Sequence, residues 1–199
     1  SPRANSRSAQ SFSDIAGTIT SFYVGPGDFD LGKDIFKGSG ALRYMCDPTA
    51  DGGSIENASQ YTSGLDVHYS SGVYNKAFCT LAKTANWGTV KAFQTFARAN
   101  ALYWTPSSTF NSGACGVETA ATDLGYTKAD VTAAFAVVGV SCSGGGGGGG
   151  TTALTNGVPV TGISATTGNT ANFTLVVPAG ASNLTFTTSG GTGDADMYV

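Results

Sequence analysis

The stretch Asp66-Val-His-Tyr-Ser-Ser-Gly-Val-Tyr-Asn-Lys-Ala-Phe-Cys-Thr-Leu-Ala-Lys83 decides how the chain is read. Its second part predicts a helix over about 71–83. Val73, Tyr74, Ala77, Phe78 and Leu81 recur at helical spacing and form one inward stripe. Its first part sets the single histidine, His68, two residues after Asp66 and just before that helix. A carboxylate so placed accepts from an imidazole N–H, fixes the ring tautomer and favours its charged form. A histidine held in this way donates well to an oxyanion. Ser70 and Ser71 invite a Ser-His-Asp reading, but no nucleophile elbow surrounds them.

Working outward, the same periodicity recurs. Phe12, Ile15, Ala16, Ile19 and Phe22 predict a helix ending near Tyr23, stopped by Val24-Gly-Pro-Gly-Asp28. Val90, Phe93, Phe96, Ala97 and Leu102 predict one over about 88–103. Shorter helices follow over 112–124, closed by Gly125, and over 128–137. Thr127 stands as N-cap of the last, with Asp130 reaching back as in a capping box. Residues 28–67, rich in Gly, Asp and Ser, read as one long shaped loop.

The 199 residues carry ten Lys and Arg, thirteen Asp and Glu, and a net charge of −3. No basic stripe is present, so a nucleic-acid partner is not expected. No apolar run reaches the length of a membrane span. One histidine excludes a metal site needing two from this chain. All ten basic residues precede Val131, and 131–193 holds no charged side chain. Seven glycines, 144–150, fall in that region and read as a linker, since a glycine run has high backbone entropy and nothing to bury. Beyond it, 157–163, 171–177 and 183–188 alternate apolar with polar and predict strands of a β-sandwich. About four strands are too few for a complete sandwich.

The four cysteines, Cys46, Cys79, Cys115 and Cys142, allow three pairings. Joining Cys115 to Cys142 would tie the last two helices together, leaving Cys46 with Cys79 to pin the long loop to the 71–83 helix. Disulfides imply an oxidising compartment. Buried free thiols are the alternative. Arg43, in Gly40-Ala-Leu-Arg-Tyr44, is a lone cation in a mostly uncharged stretch. Its fork suits a carbonyl or carboxylate; it could also simply pair with Asp47.

Four segments together carry a resemblance: Ser11-Phe-Ser-Asp-Ile-Ala-Gly17, Gly38-Ser-Gly-Ala-Leu-Arg-Tyr-Met45, Asp66 to Phe78, and Ala99-Asn-Ala-Leu-Tyr-Trp-Thr105. Residues 9–142 resemble the C-terminal helical half of thermolysin-like zinc metallopeptidases, nearest the secreted pseudolysin and vibriolysin branch. The tail, with Asn156-Gly-Val-Pro-Val-Thr-Gly162, Ala179-Gly-Ala-Ser-Asn-Leu-Thr185 and Gly190 to Val199, resembles the first half of a bacterial pre-peptidase C-terminal domain. The implied organisation is a non-family, disordered segment 1–10, a mainly α domain over 11–142, a Gly-rich linker 143–152, and a partial all-β sandwich 153–199.

The resemblance implies hydrolysis of peptide bonds in proteins by a secreted bacterial zinc endopeptidase. His68 matches the histidine that stabilises the tetrahedral transition state, and Asp66 the acid that orients it. Arg43 matches the arginine that holds the substrate carbonyl beside the S1′ pocket, which Leu42 lines. Asp14 matches the carboxylate that orients a zinc-binding histidine. Cys115 and Cys142 match the branch's C-terminal disulfide. The departures are equally specific. Gln10 stands where the family has its zinc-ligand Glu, and a neutral amide is a poor ligand beside a carboxylate. The H-E-x-x-H helix is absent. Thr18 and Ser21 replace calcium-binding acids, leaving Asp28 and Asp30 from that site. The expectation is therefore a fragment, inactive alone, whose partners are a peptide substrate and the absent N-terminal half. Zinc would belong to the complete enzyme, and calcium binding would be weakened. The rival readings are a non-catalytic secreted peptide- or surface-binding module and a purely structural domain.

Overall fold

The computed structural model describes residues 7–142, 151–161, 163, 171–191 and 197. Six helices carry the first part: α1 (Arg7–Val24), α2 (Val67–Ser70), α3 (Gly72–Lys83), α4 (Gly88–Leu102), α5 (Phe110–Asp123) and α6 (Lys128–Val137). A short antiparallel ladder, β1 (Asp30–Leu31) with β2 (Arg43–Tyr44), and two 3-10 turns over 48–51 and 58–60 shape the long loop.

The core forms where the sequence stripes meet. Val73, Tyr74, Ala77, Phe78 and Leu81 of α3 are all buried, as their spacing predicts. Tyr74 is the hub. Its ring packs against Phe96, Trp104, Phe110 and Phe135, and its hydroxyl donates to the Phe110 carbonyl at 2.6 Å. Each such aromatic contributes about 1.5–3 kcal/mol by leaving water, and the bonded hydroxyl avoids the cost of a buried orphan donor. Helix α4 packs against α1, α3 and α5, and α6 closes on α3 and α5.

Two disulfides join Cys46 to Cys79 and Cys115 to Cys142, across 33 and 27 residues. Loops of that length restrict the unfolded chain enough to stabilise the fold by roughly 3–4 kcal/mol each. The first ties the segment after β2 to α3, and the second ties α5 to the end of the helical domain.

Several expectations need correction. Helix α1 begins at Arg7, so 7–10 are helical rather than disordered; 1–6 lie outside the described residues. Val90 and Leu102 are exposed. The buried face of α4 is Ala92, Thr95, Phe96 and Ala99, because the small residues let α4 sit close to its neighbours. Helix α5 begins at Phe110, where a capping box starts it: the Thr109 hydroxyl accepts the Ser112 N–H at 3.2 Å and the Ser112 hydroxyl accepts the Thr109 N–H at 2.8 Å. Thr127 makes no side-chain cap, and Asp130 instead accepts from the Trp87 indole N–H at 2.8 Å.

Of the expected linker, 143–150 lie outside the described residues, while Thr151 and Thr152 already belong to a strand. That strand, β3 (Thr151–Ala153), pairs in parallel with β4 (Asn172–Thr174). The described parts of 157–163 and 183–188 form no ladder, and the described tail forms no sandwich. Val158, Val177 and Leu184 stay exposed, since a two-stranded sheet offers no second layer to cover them.

Candidate functional site

Asp66 begins α2 as its N-cap. Its Oδ1 accepts the His68 backbone N–H at 2.8 Å and lies 2.6 Å from His68 Nδ1. The carboxylate thus starts the helix and orients the ring. These hydrogen bonds, the backbone one foremost, hold the Asp66 carboxyl below its ordinary value of 3.8. Nδ1 is committed to Asp66, and Nε2 is the other ring nitrogen. The side chains of both residues are more than half exposed.

Arg43 comes from β2 and turns inward, its side chain only 12% exposed. Nη1 donates to the Leu42 carbonyl at 2.7 Å and lies 4.0 Å from Asp51 Oδ2. Nε lies 3.8 Å from Asp14 Oδ2 and is buried without a hydrogen-bond partner. The Arg43 charge also reaches Asp66. Leu42 remains about half exposed beside it.

Asp14, on α1, is almost fully buried. Gln10 donates to its Oδ1 at 3.2 Å, and Asn75 (2.8 Å) and Ser71 (3.3 Å) donate to its Oδ2. Ser11 donates in turn to Asn75 at 2.7 Å. Burial raises the Asp14 carboxyl above 3.8, and the Asn75 hydrogen bond and the Arg43 charge only partly offset it. Asp51 goes the other way: burial opposes ionisation, but hydrogen bonds from Ser54 and Gly53 and the Arg43 charge hold it low.

His68, Asp66, Arg43 and Asp14 are therefore linked into one electrostatic group at the α1–α2–β2 junction. Asn75, Ser11 and Asp51 belong to it and were not singled out from sequence. Asn75 had a signal, as one amide on the buried face of α3. Ser11 and Asp14 had another, since with Ser8 and Thr18 they form a buried polar row on α1.

The residues present do not fit a zinc site. Gln10 offers a neutral amide whose N–H₂ is already turned to Asp14, and no group of three metal-ligating side chains converges among the described residues. Nor do they gather a calcium site: Asp28 forms an ion pair with Lys33, and its Oδ1 accepts the Asp30 backbone N–H at 3.0 Å. No helix among the described residues is long and apolar enough to cross a membrane.

One surface of the domain thus presents an aspartate-oriented histidine and a carboxylate-flanked arginine. The chain belongs to the thermolysin metallopeptidase family, whose α-helical domain matches residues 9–140. It is 50% identical over 192 residues to the hemagglutinin/proteinase of Vibrio cholerae, covering 96% of this chain and 31% of that protein. A zinc metalloprotease of Helicobacter pylori is likewise 50% identical over 192 residues, 96% of this chain and 74% of that protein. A bacillolysin of Bacillus cereus is 36% identical over 151 residues, 66% of this chain and 27% of that protein. The chain spans less than a third of the Vibrio relative's length. Matches over 96% of the chain take in much of the β tail as well.

Proposed function

We propose that this chain is the helical half of a secreted zinc metalloendopeptidase that hydrolyses peptide bonds in proteins. The observation that carries this is the Asp66–His68 pair set beside Arg43 on one helical platform. As a carbonyl becomes tetrahedral, negative charge grows on its oxygen. A donor already aimed there stabilises the transition state more than the ground state. His68 Nε2 is that donor when the ring carries both protons, while Nδ1–H stays on Asp66 and keeps the ring oriented. Arg43, through Nη2, binds the carbonyl on the leaving side, and Leu42 offers an apolar wall for the side chain that follows. Asp14 serves in the complete site as an orienting carboxylate. Zinc, when bound in the family's complete site, supplies Lewis acidity; the residues here do not hold it. Two ligands would come from the H-E-x-x-H helix of the family's N-terminal half, Gln10 stands at the position of the third, and the described residues gather no calcium site.

Two disulfides support an extracellular, oxidising location. The tail is read as part of a pre-peptidase C-terminal module behind a Gly-rich linker, and a match to the Vibrio relative over 96% of this chain supports an appended role. Gln10, an amide at the zinc-ligand position, favours a second reading, a peptide- or surface-binding module without catalysis.

The test is casein cleavage and zinc content of the purified chain, alone and mixed with the H-E-x-x-H half of a related peptidase. The expected result is neither cleavage nor stoichiometric zinc alone, and cleavage in the mixture that falls at least about 10²-fold with His68→Ala. Zinc-dependent cleavage by the chain alone overturns the half-site reading. Cleavage in the mixture that ignores His68→Ala overturns the role of the histidine, and peptide binding without any cleavage selects the second reading.

A further inference from the structure

We propose that Asp51 is the positioning residue for Arg43, and that the turn it closes locks Arg43 to the segment carrying His68. This rests on the reading of Arg43 and His68 as the substrate-facing pair.

The Asp51 carboxylate is itself fixed. Its Oδ1 accepts the backbone N–H of Gly53 at 2.9 Å and of Ser54 at 2.6 Å. Its Oδ2 accepts the Ser54 hydroxyl at 2.5 Å and faces Arg43 Nη1 at 4.0 Å. Asp14 flanks the other side of the guanidinium, at Nε. Two carboxylates from separate elements thus bracket one planar cation. Attraction toward carboxylates near Nε and Nη1 biases the orientation of the planar fork and so of its third edge, Nη2.

The turn then continues into the histidine's surroundings. Ile55 N–H donates to the Tyr69 carbonyl at 3.2 Å. Gly53 lies against the Tyr69 ring so closely that a Cβ would overlap it. Gly72 is equally constrained, since a Cβ there would run into the Ile55 carbonyl and crowd Ser54. Residues 51–55 are therefore bonded and packed onto 69–72, directly after His68. The turn holds the arginine through a charge and the histidine's helix through backbone contacts.

A turn-forming aspartate with no positioning role would have the same hydrogen bonds, so the test must separate charge from turn. Asp51→Asn keeps an Oδ1 acceptor for the Gly53 and Ser54 N–H groups and removes the charge. Asp51→Ala removes both. Nuclear magnetic resonance on the intact chain reads the Arg43 Nε–H, identified by its loss in Arg43→Ala, and the ring of the single histidine. In Asp51→Asn the melting temperature stays near that of the parent, while Nε–H exchange with water speeds up by about tenfold, because the whole guanidinium loosens once the attraction at Nη1 is gone. Asp51→Ala shows the same exchange gain plus shifts at Tyr69 and His68. Ser54→Ala, which keeps the charge but loosens it, gives an intermediate exchange gain and serves if Asp51→Asn does not fold. Exchange unchanged in Asp51→Asn, or in a folded Ser54→Ala where the asparagine variant fails, overturns the proposal. In the mixed cleavage assay, Asp51→Asn raises KM with little change in kcat. An exchange gain without any cleavage in the parent mixture leaves the positioning intact and sinks the protease reading.

Discussion

One oxygen of Asp66 serves two hydrogens of His68, the backbone N–H at 2.8 Å and the ring Nδ1 at 2.6 Å. That geometry selects the Nδ1–H tautomer. Asp66→Ala is expected to release the ring, so that nitrogen chemical shifts at neutral pH move toward the Nε2–H form. It also removes the N-cap, which costs about 0.5–2 kcal/mol of local stability. A ring that keeps the Nδ1–H form in Asp66→Ala would show that another group sets its tautomer.

Gln10→Glu restores the family's residue type but places a second carboxylate against buried Asp14. Burial already raises the Asp14 carboxyl above 3.8, and a like charge pushes it further. A carboxyl whose folded value is raised binds its proton more tightly in the native state. Its cost therefore opens as pH rises from the unfolded value, about 3.9, through the folded value. Melting temperatures of variant and parent should nearly coincide near pH 4 and diverge toward pH 7, with the variant lower. A gap independent of pH would place the cause in packing.

Asn75 bridges Ser11 and Asp14 in a buried network. Asn75→Leu has similar volume but leaves the Ser11 hydroxyl and one Asp14 lone pair unpaired. Urea unfolding should show a loss of about 1–3 kcal/mol. A neutral result would mean that water enters and replaces the amide.

Two acidic residues on α5 should behave differently. Glu118 is buried, with Lys128 Nζ at 3.2 Å and the Thr132 hydroxyl at 2.8 Å. Asp123 pairs with Arg98 at 2.9 Å and with Tyr103 on the more open surface. Glu118→Ala is expected to cost about 1–3 kcal/mol, and Asp123→Ala no more than about 1 kcal/mol. Chemical denaturation of the two variants checks the order.

The helical stripes of α3 and the pair Asp66–His68 were legible because they follow local periodicity and short spacing. The burial of Asp14 was not, since it depends on α1 docking against α3 and on Arg43 arriving from β2. Val90 and Leu102 misled for a related reason: apolar character marked a face of α4, but the small side chains of Ala92 and Ala99 decided which face approached its neighbours. Asp51 was hidden in a stretch of Gly, Asp and Ser where no period exists. In the tail, the expected strand over 171–177 appears in part as β4 (Asn172–Thr174), while the described parts of 157–163 form no ladder. Alternation of 157–163 promised strands, yet a strand needs a partner to pair with, and alternation alone supplies none.

Helix α1 is attached by chemistry of an unusual balance. Ile15 is its one apolar side chain in the fully buried core, whereas Ser8, Ser11, Asp14 and Thr18 are buried beside it. Apolar exposure dominates the heat capacity of unfolding, and polar exposure opposes it. Detachment of α1 would therefore carry a small calorimetric signature for a helix of 18 residues, and could precede global melting as a separate opening. Because Asp14 leaves with α1, that quiet opening would also release one of the two carboxylates that bracket Arg43.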